Sequence, residues 1–462
     1  MRFFSRRQKP SSARRLDAQG TSAHLRQLGL SARAASAKAM LLERCDRALD
    51  AAGASKRRWS IWVPGRVELL GKHTDYAGGR SLIAAIERGI CLRAAFRKDE
   101  LVRVIDVGDN VTVEVALGGD GARGAVGLPH YVSTVARRVA SNFRHVRYGV
   151  DMALASDLPP AAGLSSSSAL VVAVFIAISK ANDLQQRDDF RKLITTREEL
   201  AAYLGAIENG EPFGRLPGDA GVGTLGGAQD HTAILCSEVG QIARFAYIPV
   251  RRESVVSFPP RHTLVIAVSG VVAEKTGAAL PEYNRASMAV RRLVEAWNRE
   301  HGRHDLSLAE AVGSAPDAPR ALREIADRLR DPELPAGFLR RRLEQFLTEA
   351  FEVIPAATDA LQRQAVAEFG VIADQSQRMA EELLGNQVPQ TIALQRSARE
   401  LGASAASAFG AGFGGSVWAI VPDREARHFV EDWEAKYRHA YPGLASRCLF
   451  FTTPLGPAAA QW

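Results

Sequence analysis

Residues 158–175, LPPAAGLSSSSALVVAVF, decide how the rest of the chain is read. Two prolines and a glycine lead into four consecutive serines, and an apolar run of helical length follows without a break. Small residues leave the turn free of side-chain bulk, so backbone N–H groups can close around an anion. The helix behind them adds the positive end of its dipole and its unpaired N–H groups. A serine hydroxyl at that spot can bind phosphate or a magnesium ion. Taken alone, the stretch is equally well a Ser-rich cap on a core helix. Two further stretches separate these alternatives.

At 462 residues the chain has the length of two or three domains. Its composition, 46% hydrophobic and 24% charged, is that of a soluble globular protein. No apolar run approaches the ~20 residues that span a bilayer. Cys45, Cys91, Cys236 and Cys448 lie far apart, which argues against a zinc site or a disulfide framework and for a reducing, cytoplasmic setting. The net charge of +8 points toward nucleic acid until it is located: residues 1–33 hold eight basic residues and one acid, or +7, so the remainder is nearly neutral. That segment is expected to be a solvated, disordered basic tail, with no nucleic acid and no membrane as partner. An organelle transit peptide has the same Arg- and Ser-rich composition.

Residues 34–52 carry an Ala-rich helical pattern with Leu41, Cys45, Ala48 and Leu49 on one stripe. A short β-like run at 59–63 leads into PGRVELLGKHTDYAGG (64–79), a polar knot of Arg66, Glu68, Lys72, His73, Asp75 and Tyr76 between glycines and apolar residues. It is not a Walker phosphate loop, because five residues separate Gly65 from Gly71 and His73 stands where Ser or Thr is needed. So many charges between β-like runs suggest a site. Alternation at Val102 and Val104, then at Val111, Val113 and Val115, predicts a hairpin turning near Gly108-Asp109. Helices are expected at 131–143 and 196–209, and a strand at 149–154 delivers the chain to the serine stretch. A glycine-rich passage, 214–227, leads to Gln229-Asp230-His231 and a β-like run through Cys236. Composition changes near Pro259-Pro260, the expected domain boundary. Beyond it, 262–269 is a buried-strand candidate, and 286–300, 306–330, 339–350 and 357–385 have amphipathic helical patterns. In FGAGFGGSVWAIV (409–421), Gly410, Gly412 and Gly415 satisfy GxGxxG. A helix is expected before them and a strand after, the reverse of a dinucleotide-binding turn.

In this order, three of these motifs resemble the GHMP small-molecule kinases, closest to the galactokinases. PGRVELLGKHTDYAGG resembles that family's sugar signature, PPAAGLSSSSAL its phosphate loop and GAGFGGSV its C-terminal glycine loop. Glu208-Asn209, Gln229-Asp230-His231 and Glu282-Tyr283-Asn284-Arg285 are lesser matches, and the resemblance runs from about Trp59 to Val421. It implies an α+β, two-domain GHMP kinase fold with the active site in the interdomain cleft: tail 1–33, N-terminal domain 34–258 and C-terminal domain 259–462. The activity implied is ATP- and Mg²⁺-dependent phosphorylation of the anomeric hydroxyl of a hexose, galactose first, by a monomer or weak homo-oligomer.

Carried over residue by residue, the resemblance gives the backbone of Gly163, Leu164, Ser165, Ser166, Ser167 and Ser168 the phosphates, and Ser167 with Glu208 the Mg²⁺. Asp230 would orient or deprotonate the sugar hydroxyl, and Arg66 would offset charge on the transferring group or on Asp230. Lys72, His73, Asp75 and Tyr283 would face the sugar, while Gly412, Gly414 and Gly415 let the C-terminal backbone come close. Each has an ordinary alternative: Arg66 as a partner of Glu68 or Asp75, Asp230 as a helix cap, His73 and Tyr283 as plain wall.

Three features depart from the family pattern. Lys72 stands where galactokinases have Glu, and Glu68 stands where they have Asn. Glu208 and Asp230 lie twenty-two positions apart, a separation lengthened by the loop 214–223. Lys72 turned toward Glu68 or Asp75 leaves a neutral-sugar site; pointed into the pocket, it favours a hexuronic acid such as galacturonate. A non-catalytic sugar/ATP sensor is the alternative from another class, opposed by the retained Ser167, Glu208, Asp230 and Arg66.

Overall fold

Strand β1 (Arg58–Leu70) is buried at every position but its first, so the first polar motif begins inside the core. The computed structural model describes residues 17–119, 126–272 and 280–462. β1 pairs antiparallel with β2 (Arg80–Phe96), and β3 (Leu101–Asp106), β4 (Val111–Ala116), β5 (Val150–Ser156), β6 (Gln241–Ala246) and β7 (Arg251–Ser257) complete this part of the sheet. The expected valine hairpin is β3–β4, with Gly108 and Asp109 between its strands. Among the strands of the described residues, only the β3–β5 pairing is parallel.

Past Pro259-Pro260 the chain changes sheets. β8 (His262–Val268), β9 (Ala405–Phe409), β10 (Ser416–Pro422) and β11 (Leu449–Thr452) form a four-stranded sheet in the order β11-β8-β10-β9. A final two-residue strand, β12 (Ala460–Gln461), returns to the edge of the first sheet beside β1, giving it eight strands. The C-terminus therefore closes the layer the N-terminal half began.

Helices cover both faces of the first sheet, as its continuous apolar strands require. Helix α1 (Ala18–Leu28) packs on α2 (Ala32–Ala51), whose Cys45 and Leu49 are fully buried, as the stripe predicts. Helix α3 (Leu128–Asn142) and α4 (Ser166–Ala181) pack together; α4 is apolar on nearly every side and lies in the main core against β1 and β2. Between β8 and β9 a helical layer with its own core, including Trp297, Leu322 and Phe346, packs over the motif that follows β1.

Several expectations need correction. The β-like run expected after Gln229-Asp230-His231 and through Cys236 is instead part of a helix, Gln229–Cys236, whose apolar residues bury against α4, β1 and β2 at helical spacing. The single helix expected at 306–330 is two, Leu308–Gly313 and Ala318–Arg328, the second with proline in its first turn, where the missing N–H costs nothing. Gly410 follows strand β9 rather than a helix, so the glycines join two antiparallel strands. The dinucleotide alternative stays excluded, since β10 and not a helix follows them.

The tail expectation fails where the structure describes it; residues 1–16 lie outside the described residues. Asp17 caps α1 by accepting from the Gly20 N–H, and Gly29 ends it in the left-handed region. Leu25 and Leu30 pack with Leu42, Trp62 and Cys91. Ser31 donates through N–H and Oγ to the Glu87 carboxylate at 2.5 and 2.7 Å. Composition hid this helix because its apolar residues are few and diluted by polar ones. No helix among the described residues is long and apolar enough to cross a membrane.

Leu25 is fully buried, so Leu25→Ala is expected to cost about 2–4 kcal/mol of stability. Chemical denaturation measures it; a loss under ~0.5 kcal/mol would return this helix to the status of a dispensable arm.

Candidate active site

A strand, a loop and a helix meet around the Arg66 side chain. Its Nε donates to Asp230 Oδ1 at 2.7 Å and its Nη1 to the Gly163 carbonyl at 2.5 Å, while its backbone N–H donates to the Leu164 carbonyl at 3.3 Å. One guanidinium thus ties β1 to the serine loop and to the start of helix Gln229–Cys236. The neighbouring Gly65 cannot carry a side chain: a Cβ would stand 2.5 Å from Leu158 Cδ2 and 2.9 Å from the Leu164 carbonyl oxygen.

The serine loop runs from β5 into α4, with Gly163 and Ser165 both in the left-handed region (φ 71° and 61°). This conformation turns the chain sharply at the helix start. Ser165 Oγ is buried without a hydrogen-bond partner in a residue only 5% exposed. Such an atom at a helix N-terminus with small neighbours fits a bound anion. From the other sheet, Gly410, Gly412, Gly414 and Gly415 all have positive φ, and the Ser416 hydroxyl donates to the Ala162 carbonyl at 2.5 Å. A Cβ on Gly412 would stand 2.2 Å from the Asn386 carbonyl oxygen.

Ser168, on the first turn of α4, donates its hydroxyl to Glu208 Oε2 at 2.8 Å and lies 3.4 Å from Asp230 Oδ2. Glu208 is 4% exposed at the end of helix Arg197–Asn209, and His231 Nε2 stands 3.1 Å from Glu208 Oε2. These hydroxyl and carboxylate oxygens are hard ligands suited to Mg²⁺, which takes few protein ligands and keeps water or phosphate oxygens on the others. Among the described residues no group of three or more His, Cys, Asp or Glu side chains is placed to hold a metal ion. Ser167, expected as the partner of Glu208, is half-buried and absent from the cavity wall; the hydroxyl on Glu208 is that of Ser168. A helix turns about 100° per residue, so adjacent serines cannot point the same way.

One cavity joins these groups, lined by Arg66, Glu68, Asp75, Glu208, Asp230 and Tyr283 among others, with Gly410 and Ala411 from the second sheet. His73 Nε2 lies 3.0 Å from the Ala411 carbonyl and Nδ1 lies 2.9 Å from the Tyr76 hydroxyl. The carbonyl can only accept, so Nε2 carries the proton. Both ring nitrogens are engaged, and His73 lines the cavity, where the sequence expectation places it. Asp75 Oδ2 accepts from the Gln229 N–H at 3.1 Å. The His73 and Tyr283 rings lie 5.7 Å apart. Asn284 clasps the glycine-rich insertion, accepting from the Leu225 N–H and donating to the Gly223 carbonyl. Residues of α3 anchor the same insertion: Arg137 donates to the Asp219 carboxylate and the Ala220 carbonyl, and Asn142 to the Pro217 carbonyl.

Lys72, expected to face the sugar, does not line the cavity. Its ammonium donates to Ser407 Oγ at 2.8 Å and Ser376 Oγ at 3.2 Å, and its backbone carbonyl accepts from Gln345. The preceding Gly71 N–H donates to Glu349 Oε1, which turns residue 72 toward the C-terminal helices. Burial pushes the Lys72 ammonium below its usual range, opposed by Glu349, Glu68 and Glu381. The pairings expected with Glu68 or Asp75 are not formed. Glu68 belongs to the polar knot and departs from the family pattern, but the sequence expectation gives it no role of its own in the site. It is 3% exposed, it lines the cavity, and its Oε1 has no hydrogen-bond partner. The signal was present as an acid between apolar neighbours, two residues from Arg66, in the buried part of β1.

Residues 130–234 match the GHMP kinases N terminal domain, 357–439 the GHMP kinases C terminal domain, and 52–96 the galactokinase galactose-binding signature. A galactokinase from Roseiflexus sp. (strain RS-1) is 28% identical over 391 residues, 82% of this chain and 88% of that protein. A galactokinase from Haemophilus influenzae (strain PittEE) is 31% identical over 115 residues, only 30% of its length. In fold, the chain is similar to Lactococcus lactis galactokinase complexed with galactose, with a TM-score of 0.71 at 20% identity, covering 91% of this chain and 99% of that one. A Methanococcus jannaschii mevalonate kinase superposes with a TM-score of 0.51 at 14% identity, covering 87% and 99%.

Burial pushes the Glu68 carboxyl up to about 7, with Lys72 and Arg66 pulling it down and Asp230 and Glu349 adding to the rise. A raised carboxyl favours folding below its unfolded value of 4.5, and that contribution is lost as pH rises through 7. Glu68→Gln, which cannot ionise, is therefore expected to gain on the order of 2–3 kcal/mol over the parent at pH 8 and little at pH 4. Denaturation at the two pH values reads the difference; equal gains at both would mean that ionised Glu68 is well accommodated.

Proposed function

The chain belongs to the GHMP kinases, and on that basis we propose that it transfers the γ-phosphoryl group of ATP to the anomeric hydroxyl of a hexose, galactose before others. The observation that carries this is the Arg66–Asp230 pair standing between the serine loop and the cavity. Arg66 fixes Asp230 by one hydrogen bond, leaving Oδ2 near Ser168 and the cavity. Asp230 would accept the sugar hydroxyl proton as the oxygen attacks phosphorus, and Arg66 would offset the charge that gathers there. The serine-loop backbone from Gly163 to Ser168 would bind the phosphates, with Gly412, Gly414 and Gly415 bringing the second loop close. Glu208 and the Ser168 hydroxyl would hold Mg²⁺, which when bound neutralises phosphate charge. Asp75 and Tyr283 would contact the sugar against a wall braced by His73 and Tyr76. We also propose the domain boundary near Pro259-Pro260, where the sheets change.

Charge favours a neutral hexose over a hexuronic acid. Glu68, Asp75, Glu208 and Asp230 line the cavity with Arg66 as the opposing guanidinium, while Lys72 lies outside it. A substrate carboxylate would meet these acids, and among the described residues of the wall the Arg66 guanidinium is already engaged by Asp230. The same intact pair and hydroxyl–carboxylate set speak for catalysis over a silent sensor.

Coupled ADP release across hexoses and hexuronic acids tests the proposal. Galactose is expected to outpace galacturonate, and Asp230→Asn to lower kcat by at least ~10²-fold with the fold intact; near-parental turnover in that variant would remove Asp230 from the chemistry. For the metal, Ser168→Ala and Glu208→Gln are expected to raise the Mg²⁺ needed for half-maximal rate more than Ser167→Ala does. The opposite ranking would return the ion to Ser167.

A further inference from the structure

The cavity carboxylates are not equivalent. Asp75 accepts from the Gln229 N–H, Asp230 from Arg66, and Glu208 from Ser168. Glu68 is the exception: its Oε1 is buried without any hydrogen-bond partner, and the residue is 97% removed from solvent, being 3% exposed. It forms no ion pair with Lys72, whose ammonium is taken up by Ser376 and Ser407. Arg66, two residues away on the same strand face, is committed to Asp230 and the Gly163 carbonyl. A buried oxygen left unpaired is costly, and such atoms commonly mark where a ligand completes the hydrogen bonding.

We propose that Glu68 is a substrate-contacting residue, its carboxyl receiving a hydroxyl donor of the bound sugar on the wall where it now stands unpartnered. The inference rests on the sugar-kinase proposal above and adds a specificity determinant to it. Its physical logic is a division between two positions four residues apart. Lys72 is all donor and is held outside the cavity by two serines and the Glu349 side of the helical layer, so it cannot accept from a sugar hydroxyl. Glu68 has the opposite chemistry and the cavity-lining position. Strand β1 holds it, bracketed by fully buried Val67 and Leu69, so an incoming hydroxyl meets an acceptor already in place. The carboxyl's raised affinity for its proton, caused chiefly by burial, agrees with a group short of donors. A sugar hydroxyl would supply one.

The contact selects polyols that place a hydroxyl opposite Glu68. Substrates lacking that hydroxyl should bind worse, because the oxygen would remain unpaired. Removing a hydrogen bond to a charged group typically costs about 10- to 100-fold in affinity.

The test is steady-state kinetics of the full-length protein with galactose and a set of its monodeoxy analogues, for the parent, Glu68→Gln and Glu68→Ala. Folding is checked by thermal melts; Glu68→Gln keeps the shape and removes a buried charge, so it should fold. The expected result is a rise of at least ~10-fold in the KM for galactose in Glu68→Ala and a smaller rise in Glu68→Gln, with kcat within ~3-fold and the KM for ATP unchanged. One deoxy position should cost the parent ~10-fold or more while leaving Glu68→Ala indifferent. An unchanged KM for galactose in well-folded variants overturns the assignment, as does a loss confined to kcat, which would make Glu68 a proton-handling group. A parent that releases no sugar-dependent ADP from any hexose overturns the kinase proposal instead, and the inference with it.

Discussion

The Arg66 guanidinium is the joint on which this site depends. Its planar fork reaches a carboxylate and a carbonyl at once, so the strand, the serine loop and the helix bearing Asp230 are held in one register. The Arg66 side chain is 2% exposed and that of Asp230 14%. A pair this deep is a poor source of net stability, since desolvation consumes much of its attraction. Its value lies in geometry: with either partner gone, a buried charge is left bare at a cost of about 3–5 kcal/mol. Asp230 thus gains a fixed orientation while keeping one oxygen near the cavity.

Close backbone approach is the second constraint, and it follows from the first. The guanidinium reaches the Gly163 carbonyl only because the serine loop lies against β1, which Gly65 permits by having no side chain. The loop between β9 and β10 then closes from the other sheet, joined through Ser416 to the Ala162 carbonyl. Here the glycines act as spacing elements. Two sheets built from distant parts of the sequence present backbone to a common point, the arrangement an anionic ligand with several oxygens requires.

Beside the cavity, the departures at 68 and 72 form one electrostatic unit. Lys72 and Glu68 feel each other's charge yet do not pair; the lysine is drawn into hydroxyls under the helical layer and the acid stays at the wall. Glu349 anchors that layer through Gly71 and Ser376, at the start of a short π-helical segment, Glu349–Val353. Local widening of this kind is frequent near functional sites, where it re-aims side chains.

The sequence by itself determined the constellation: the serine stretch opening a helix, the polar knot after a β-like run, and the glycine loop that is not a dinucleotide turn. These are local patterns, and small residues beside an apolar run admit few conformations. It also marked Arg66, Asp230 and Glu208 through the order of motifs. Tertiary structure alone decided which neighbour does what. Ser168 rather than Ser167 meets Glu208 because helical rotation separates adjacent side chains. Residues 229–236 became a helix because the faces waiting for them lie on α4, β1 and β2, far off in sequence. The α1 helix is held by Trp62 and Cys91, contacts that composition cannot report. Lys72 and Glu68 differ for the same reason. Each is a charged residue of the same polar knot, and only the packing of the helical layer on the end of β1 sends one beneath it and leaves the other facing the cavity.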